Sequence, residues 1–193
     1  MKTAKTGFTL LEIMVSLAII GILSALSIPT FLKFQARAKQ AEVKANLRAA
    51  YTAEKAYFQE FDRYSSYVGA IGFSPERGNR YRYALATPIA AEDRSGTTPF
   101  AFTTANAIEV DVFKFGTAAT TGIPTTSPCS TASVTPGPVG AKFTAVAWGN
   151  IDSDATIDTW SISSESRDMS ACPDVAGNVP CGSPANDLND VNG

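Results

Sequence analysis

The sequence predicts an α+β fold: a long N-terminal α-helical stem, partly transmembrane and kinked at a proline, packed against a small antiparallel β-sheet head. Three observations carry this prediction. Residues 8–32, FTLLEIMVSLAIIGILSALSIPTFL, contain a single charge, Glu12, and about 20 apolar residues suffice for a helix to cross a bilayer. Residues 33–62 continue in helical period, with eight alanines between positions 36 and 56 that give high intrinsic helix propensity. From residue 80 onward the chain breaks into short alternating runs separated by Gly, Pro, Ser and Thr, as strands and turns do.

Composition narrows the functional classes. The chain has 193 residues, no histidine and three cysteines. Lack of histidine excludes His-based triads, His-ligated zinc or haem, and histidine pH switching. A net charge of −2 gives no general reason to bind nucleic acid. Charge is nonetheless divided. Residues 1–91 carry 12 basic and 6 acidic side chains, and residues 92–193 carry 4 and 12. Opposite halves of this kind can attract each other, or a neighbouring copy. No spacing of nucleophile and base or of paired carboxylates suggests an enzyme.

Before the apolar run stands a basic leader, MKTAKTG (residues 1–7). A cleaved secretory signal would have a shorter apolar core and a small-residue cleavage site after it; here the chain continues as Lys33-Phe34-Gln35 in helical pattern. A retained membrane helix fits better. Glu12 is then anomalous, because a carboxylate inside a bilayer costs about 3 kcal/mol or more and is usually functional with a partner. No base within the segment can serve.

The stretch from Lys2 to Pro29, with Gly7-Phe8-Thr9-Leu10-Leu11-Glu12 at its heart, resembles the leader and membrane helix of type IV pilins and their pseudopilin relatives. Downstream, QEFDRYSSYVGAIGFSPERGNRYRY resembles major pilins of gliding deltaproteobacteria, which extends the likeness to about residue 83. The resemblance implies cleavage between Gly7 and Phe8 by a prepilin peptidase, N-methylation of Phe8, and retention of the apolar helix. It implies that Glu12 pairs with the Phe8 amine of an adjacent subunit, so that two buried charges neutralise each other. Its function would be that of a major structural subunit of a retractable type IV pilus serving motility and adhesion; the alternative is a secretion-system pseudopilin or a minor pilin. Partners would be other pilin copies, the assembly machinery and its motor ATPases. The precursor would cross the inner membrane once and the assembled form would stand at the cell surface. Lysines and arginines near the two ends of the span, Lys2 and Lys5 against Lys33, Arg37 and Lys39, do not set this orientation; it follows from the resemblance.

Past the membrane, Val43, Leu47, Ala50, Tyr57, Phe58 and Phe61 recur at helical steps and form one apolar face. Lys33, Arg37, Lys44, Arg48 and Lys55 fall on one stripe. Such a stripe is a solvated face, a contact for the acidic half of another subunit, or a seat for phospholipid head groups. Within the helix, Pro29 removes one backbone hydrogen bond and clashes a turn back, and Gly21 lies eight residues earlier, so the helix is expected to kink or melt between them.

Residues 63–79 read as the loop from helix to sheet. Strands are expected at 80–87, 99–104, 107–115, 142–148 and 157–163 as an antiparallel meander, one face covering Val43, Leu47 and Phe58. Tyr81 and Tyr83 are expected to pack rather than stack on bases. Residues 116–140, rich in Ser, Thr and Pro, read as a surface loop without core, and 164–193 as a C-terminal loop and tail. Asp152, Asp154, Thr156 and Asp158 alternate as calcium ligands do, but Ile157 and Ser163 stand where the loop needs Gly and Glu. A polar hairpin turn is the favoured reading, with no cofactor required. An exported head invites a disulfide. Cys172 and Cys181, nine apart, are the favoured pair; Cys129 with either of them is the competitor.

Overall fold

The structure, a computed structural model, describes residues 7–96, 104–120, 123–124, 127, 129–151, 156–175 and 177–192. Helix α1 (Leu10–Phe61) is continuous over 52 residues. Asp62 ends it in the left-handed conformation, φ 52°, and donates its N–H to the Phe58 carbonyl at 2.8 Å. In this single subunit the helix continues across Gly21 and Pro29, and the Thr30 hydroxyl donates to the Leu26 carbonyl at 3.0 Å.

The head is built on β1 (Arg82–Ala84), β2 (Ala91–Glu92), β3 (Ala107–Ile108), β4 (Ser133–Thr135), β5 (Lys142–Gly149), β6 (Asp158–Ser163) and β9 (Ala185–Leu188). A separate hairpin joins β7 (Arg167–Asp168) to β8 (Asn178–Val179). The main sheet runs β2-β3-β1-β5-β6-β9, with β4 sharing one edge of β5 with β1. All its pairs are antiparallel except β2 with β3, which is parallel. β4, β5 and β6 follow one another as a meander, whereas the return from 92 to 107 places β3 outside β1.

Strand periodicity decides which side meets the stem. Ala145, Ala147, Trp160 and Ile162, with Tyr81 and Tyr83, pack on Val43, Leu47 and Ala50 of α1. Phe58 stacks on Tyr64 at 4.7 Å between ring centres, while Phe61 stays exposed. Alternate residues Ala84, Val146 and Trp148 face the other way, where Val110, Ile123 and Ala132 cover them. Burial on both faces is why β5 and β6 lack the solvent-facing alternation of a one-sided sheet.

Several expectations are corrected. Residues 107–115 are not one strand: pairing stops at Ile108, and Asp111 caps the short helix α2 (Val112–Phe115) by accepting from the Lys114 amide. The segment 116–140 is not free of core, since β4 pairs with β5 and Ile123 and Ala132 are buried. Its hydroxyls make this affordable: Ser127 donates to Asp187 at 2.7 Å and Ser130 to Ser161 at 3.0 Å. The tail docks as edge strand β9, with Asp187 and Asp190 buried. The expected strand at 99–104 lies outside the described residues apart from Thr104.

The disulfide joins Cys129 to Cys172, Cα to Cα 5.8 Å, and Cys181 is an exposed free thiol. The expected Cys172–Cys181 pair fails for a topological reason. Arg167 pairs with Val179 in the β7–β8 hairpin, which puts Cys172 in the connecting tip and Cys181 past the open end. There the Gly182 amide donates to Ser163 at 2.9 Å. Cys129 instead meets Cys172 in a small cluster with Met169, Val179 and Ala185.

Candidate functional site

Thr9 caps α1, its hydroxyl accepting from the Glu12 amide at 3.2 Å. Glu12 lies in the first turn, where a carboxylate complements the helix dipole. Phe8 precedes the cap and is 79% exposed. From Phe8 to Phe34 the large apolar side chains all stand exposed, and the apolar stretch of the helix has none of its surface covered by the head. Sixteen such side chains, none packed against the head, require lipid or other helices around them. Within this stretch Ser16 turns its hydroxyl back to the Glu12 carbonyl at 2.7 Å.

Beyond Ala36 the helix face changes character. Ala36, Gln40, Val43, Leu47, Ala50 and Glu54 are buried in alternating steps of four and three. Gln40 donates to Asp158 at 3.1 Å and Asn189 at 2.9 Å. Asp158 also accepts from the Tyr81 hydroxyl and the Trp160 indole, each at 2.6 Å, and from Asn186 at 3.2 Å. Burial raises the Asp158 carboxyl, against these hydrogen bonds that lower it. Both of its oxygens thus serve protein donors, and the sequence pattern for calcium finds Asp158 used as a structural acceptor. Asp152 and Asp154 lie outside the described residues, and no group of three or more metal-ligating side chains occurs among the described ones.

Glu54 is fully buried at the top of this face. Its Oε2 accepts from the Ser65 amide at 3.2 Å, Oε1 has no hydrogen-bond partner, and burial pushes the carboxyl up to about 7. Half-buried Glu42 accepts the Arg80 amide at 2.9 Å, and burial raises it as well. The basic stripe is split by these contacts. Lys33, Arg37 and Arg48 are exposed. Lys44 sits 4.8 Å from the centre of the Trp160 ring, and Lys55 donates to the Tyr64 hydroxyl at 2.7 Å. Tyr81 and Tyr83 are buried, as packing residues should be.

Helix-to-sheet residues 75–79 are fastened by charge. Arg77 pairs with Asp111 at 2.9 Å, and Asp111 also accepts the Gly78 amide at 2.7 Å. Buried Arg94 donates to Asn79 at 2.7 Å and to the Pro75 carbonyl at 3.1 Å. Neither this network nor Asp187 was foreseen from the sequence. Gln40 and Glu54 had a signal: both fall on the period of Val43, Leu47 and Ala50.

The geometry defines a class first: a subunit with an unpartnered apolar stem and a cross-linked sheet head, built to be held by membrane or by other stems. Family comparison then agrees along the chain. Residues 2–28 match the prokaryotic N-terminal methylation motif, and residues 34–158 match the type IV pilin PilA model. The type IV major pilin protein PilA of Myxococcus xanthus is 42% identical over 207 aligned positions, covering 96% of this chain and 92% of that protein. A fimbrial protein of Neisseria meningitidis is 27% identical over 46% of this chain and 52% of its own length. The major fimbrial protein FimA of Dichelobacter nodosus is 50% identical over 22% of this chain and 26% of its own. The chain belongs to the type IV pilin PilA family.

Proposed function

We propose that this pilin is the major structural subunit of a retractable type IV pilus that serves surface motility and adhesion. The observation that carries the reading is the fully uncovered apolar helix with one carboxylate, Glu12, near its start. As a precursor, the chain crosses the inner membrane once, with residues 1–7 on the cytoplasmic side. A prepilin peptidase cuts between Gly7 and Phe8 and the new Phe8 amine is methylated. During assembly the Phe8 amine of one copy meets Glu12 of the next, and each removes the other's cost of burial. Stems exchange lipid for helix contacts, so side-chain packing and this ion pair decide the balance. The head, fastened to the stem through Gln40, Glu54 and the aromatic face, forms the outer coat. Gly21 to Pro29 is where the helix yields on assembly, because Pro29 has no N–H to give. Motor ATPases supply the work.

Glu12→Ala tests the pairing. The variant should be processed to begin at Phe8, as intact mass reports, yet give few sheared filaments. Normal filament yield from this variant would refute the pairing, and residues 1–7 retained in filaments would refute the processing.

A further inference from the structure

Where the apolar run ends, the head leans over the stem and leaves a groove of about 400 Å³. That volume lies within the ~300–1,000 Å³ of ordinary ligand clefts. Pro29, Leu32, Ala36 and Val191 supply apolar walls, while Lys33 and Lys39 line it with positive charge. No carboxylate is among the described lining residues. Lys39 already gives one N–H to the Ile151 carbonyl; an ammonium has three. Lys33 is exposed and makes neither a hydrogen bond nor an ion pair with the described residues.

We propose that this groove binds one anionic phospholipid of the surrounding bilayer, its phosphate at Lys33 and Lys39 and an acyl segment against Leu32 and Val191. The inference rests on the reading of the precursor as membrane-anchored. Position on the helix supports lipid as the occupant. From Leu10 to Leu32 the helix rises roughly 34 Å, slightly more than the ~30 Å hydrocarbon core, so Lys33 emerges at head-group depth. Lysine side chains there extend toward phosphate while their stems stay in apolar surroundings. The groove is continuous with the exposed apolar face of Phe31 and Leu32, so a lipid need not leave the bilayer to enter it. The head closes over the groove through Val191, giving the site a wall that a bare membrane helix lacks.

The test is native mass spectrometry of the full chain extracted in mild detergent from bilayers of mixed phosphatidylglycerol and phosphatidylethanolamine. Wild-type protein should retain one phosphatidylglycerol in preference to phosphatidylethanolamine. Lys33→Gln should lower that retention about fivefold, the usual effect of one basic group near an anionic surface. Arg48→Gln, outside the groove, should leave it unchanged. Equal retention of the two lipids, an unaffected Lys33→Gln, or dimers in place of lipid adducts would overturn the proposal. Alkaline extraction of the same membranes separates this from failure of the anchored-precursor reading: chain released by alkali was never inserted, whereas inserted chain without lipid selectivity refutes the groove alone.

Discussion

Glu54 makes stability depend on pH in a direction opposite to that of most carboxylates. In the unfolded chain its carboxyl titrates near the ordinary 4.5; in the folded subunit burial holds it at about 7. Below 4.5 both states are protonated and there is no penalty. As pH rises from 4.5 to 7 the unfolded chain releases its proton first, so stability falls; above 7 the loss is complete and constant. Across that window the loss amounts to about 3 kcal/mol. Glu54→Gln keeps an acceptor for the Ser65 amide and cannot ionise. The variant should therefore gain on wild type as pH is raised from 5 to 8. For a chain of this size the melting temperatures should diverge by roughly 5–10 °C. Thermal unfolding of the full chain in detergent, followed by circular dichroism at fixed ionic strength, measures this. Glu42, Glu92 and Asp158 are also raised by burial and tilt both curves alike, so the difference between the proteins isolates Glu54. Parallel curves from pH 5 to 8 would refute the argument.

Asp158→Ala should destabilise the subunit by about 3–5 kcal/mol, because it strands the Tyr81 hydroxyl and the Trp160 indole N–H, and Asp158→Asn should lose less; denaturant midpoints give both. Under non-reducing conditions a maleimide should label the chain once, at Cys181. Cys172→Ser should cost about 2–4 kcal/mol in unfolding assays while Cys181→Ser costs nothing measurable. Arg48→Glu, on the exposed part of the stripe, should leave melting unchanged and lower pilus yield, most at low salt; yield that is unaffected at every ionic strength would place Arg48 in plain solvent.

The apolar pattern made the stem legible, together with the two longest strands. Residues 142–148 and 157–163 became β5 and β6 because they pair with each other over six consecutive positions, enough to fix a register. Shorter segments lacked that redundancy. Residues 107–115 alternate apolar with acidic side chains, yet Arg82 draws Glu109 and Arg77 draws Asp111 into ion pairs, and the chain turns after Ile108. Those partners lie about 30 residues away in sequence, where no local pattern reports them. The cysteine pairing was hidden for a similar reason, since it depends on which end of the β7–β8 hairpin each cysteine occupies. In the C-terminal tail, polarity itself misled: Asp187, Asn186 and Asp190 read as solvent-seeking, although each fills a hydrogen-bonding vacancy beside Ser161, Asp158 or Ile151.

A common cause underlies these misses. Six of the nine leucines lie in residues 8–32, which the head never covers, so the head closes its core with smaller apolar and aromatic residues and with polar ones. Hydroxyls and carboxylates then take up interior positions, acceptable only because donors meet acceptors there. Asp158 alone joins the stem through Gln40, the sheet through Tyr81 and Trp160, and the tail through Asn186. Such a hub gives directional contacts that apolar packing does not, and it fixes the rotation of the head about the helix. For a subunit that must present the same outer face in every copy of a filament, a fixed rotation matters as much as stability. On the proposed mode of assembly, the polar spine would serve the filament as fully as Phe8 and Glu12 would.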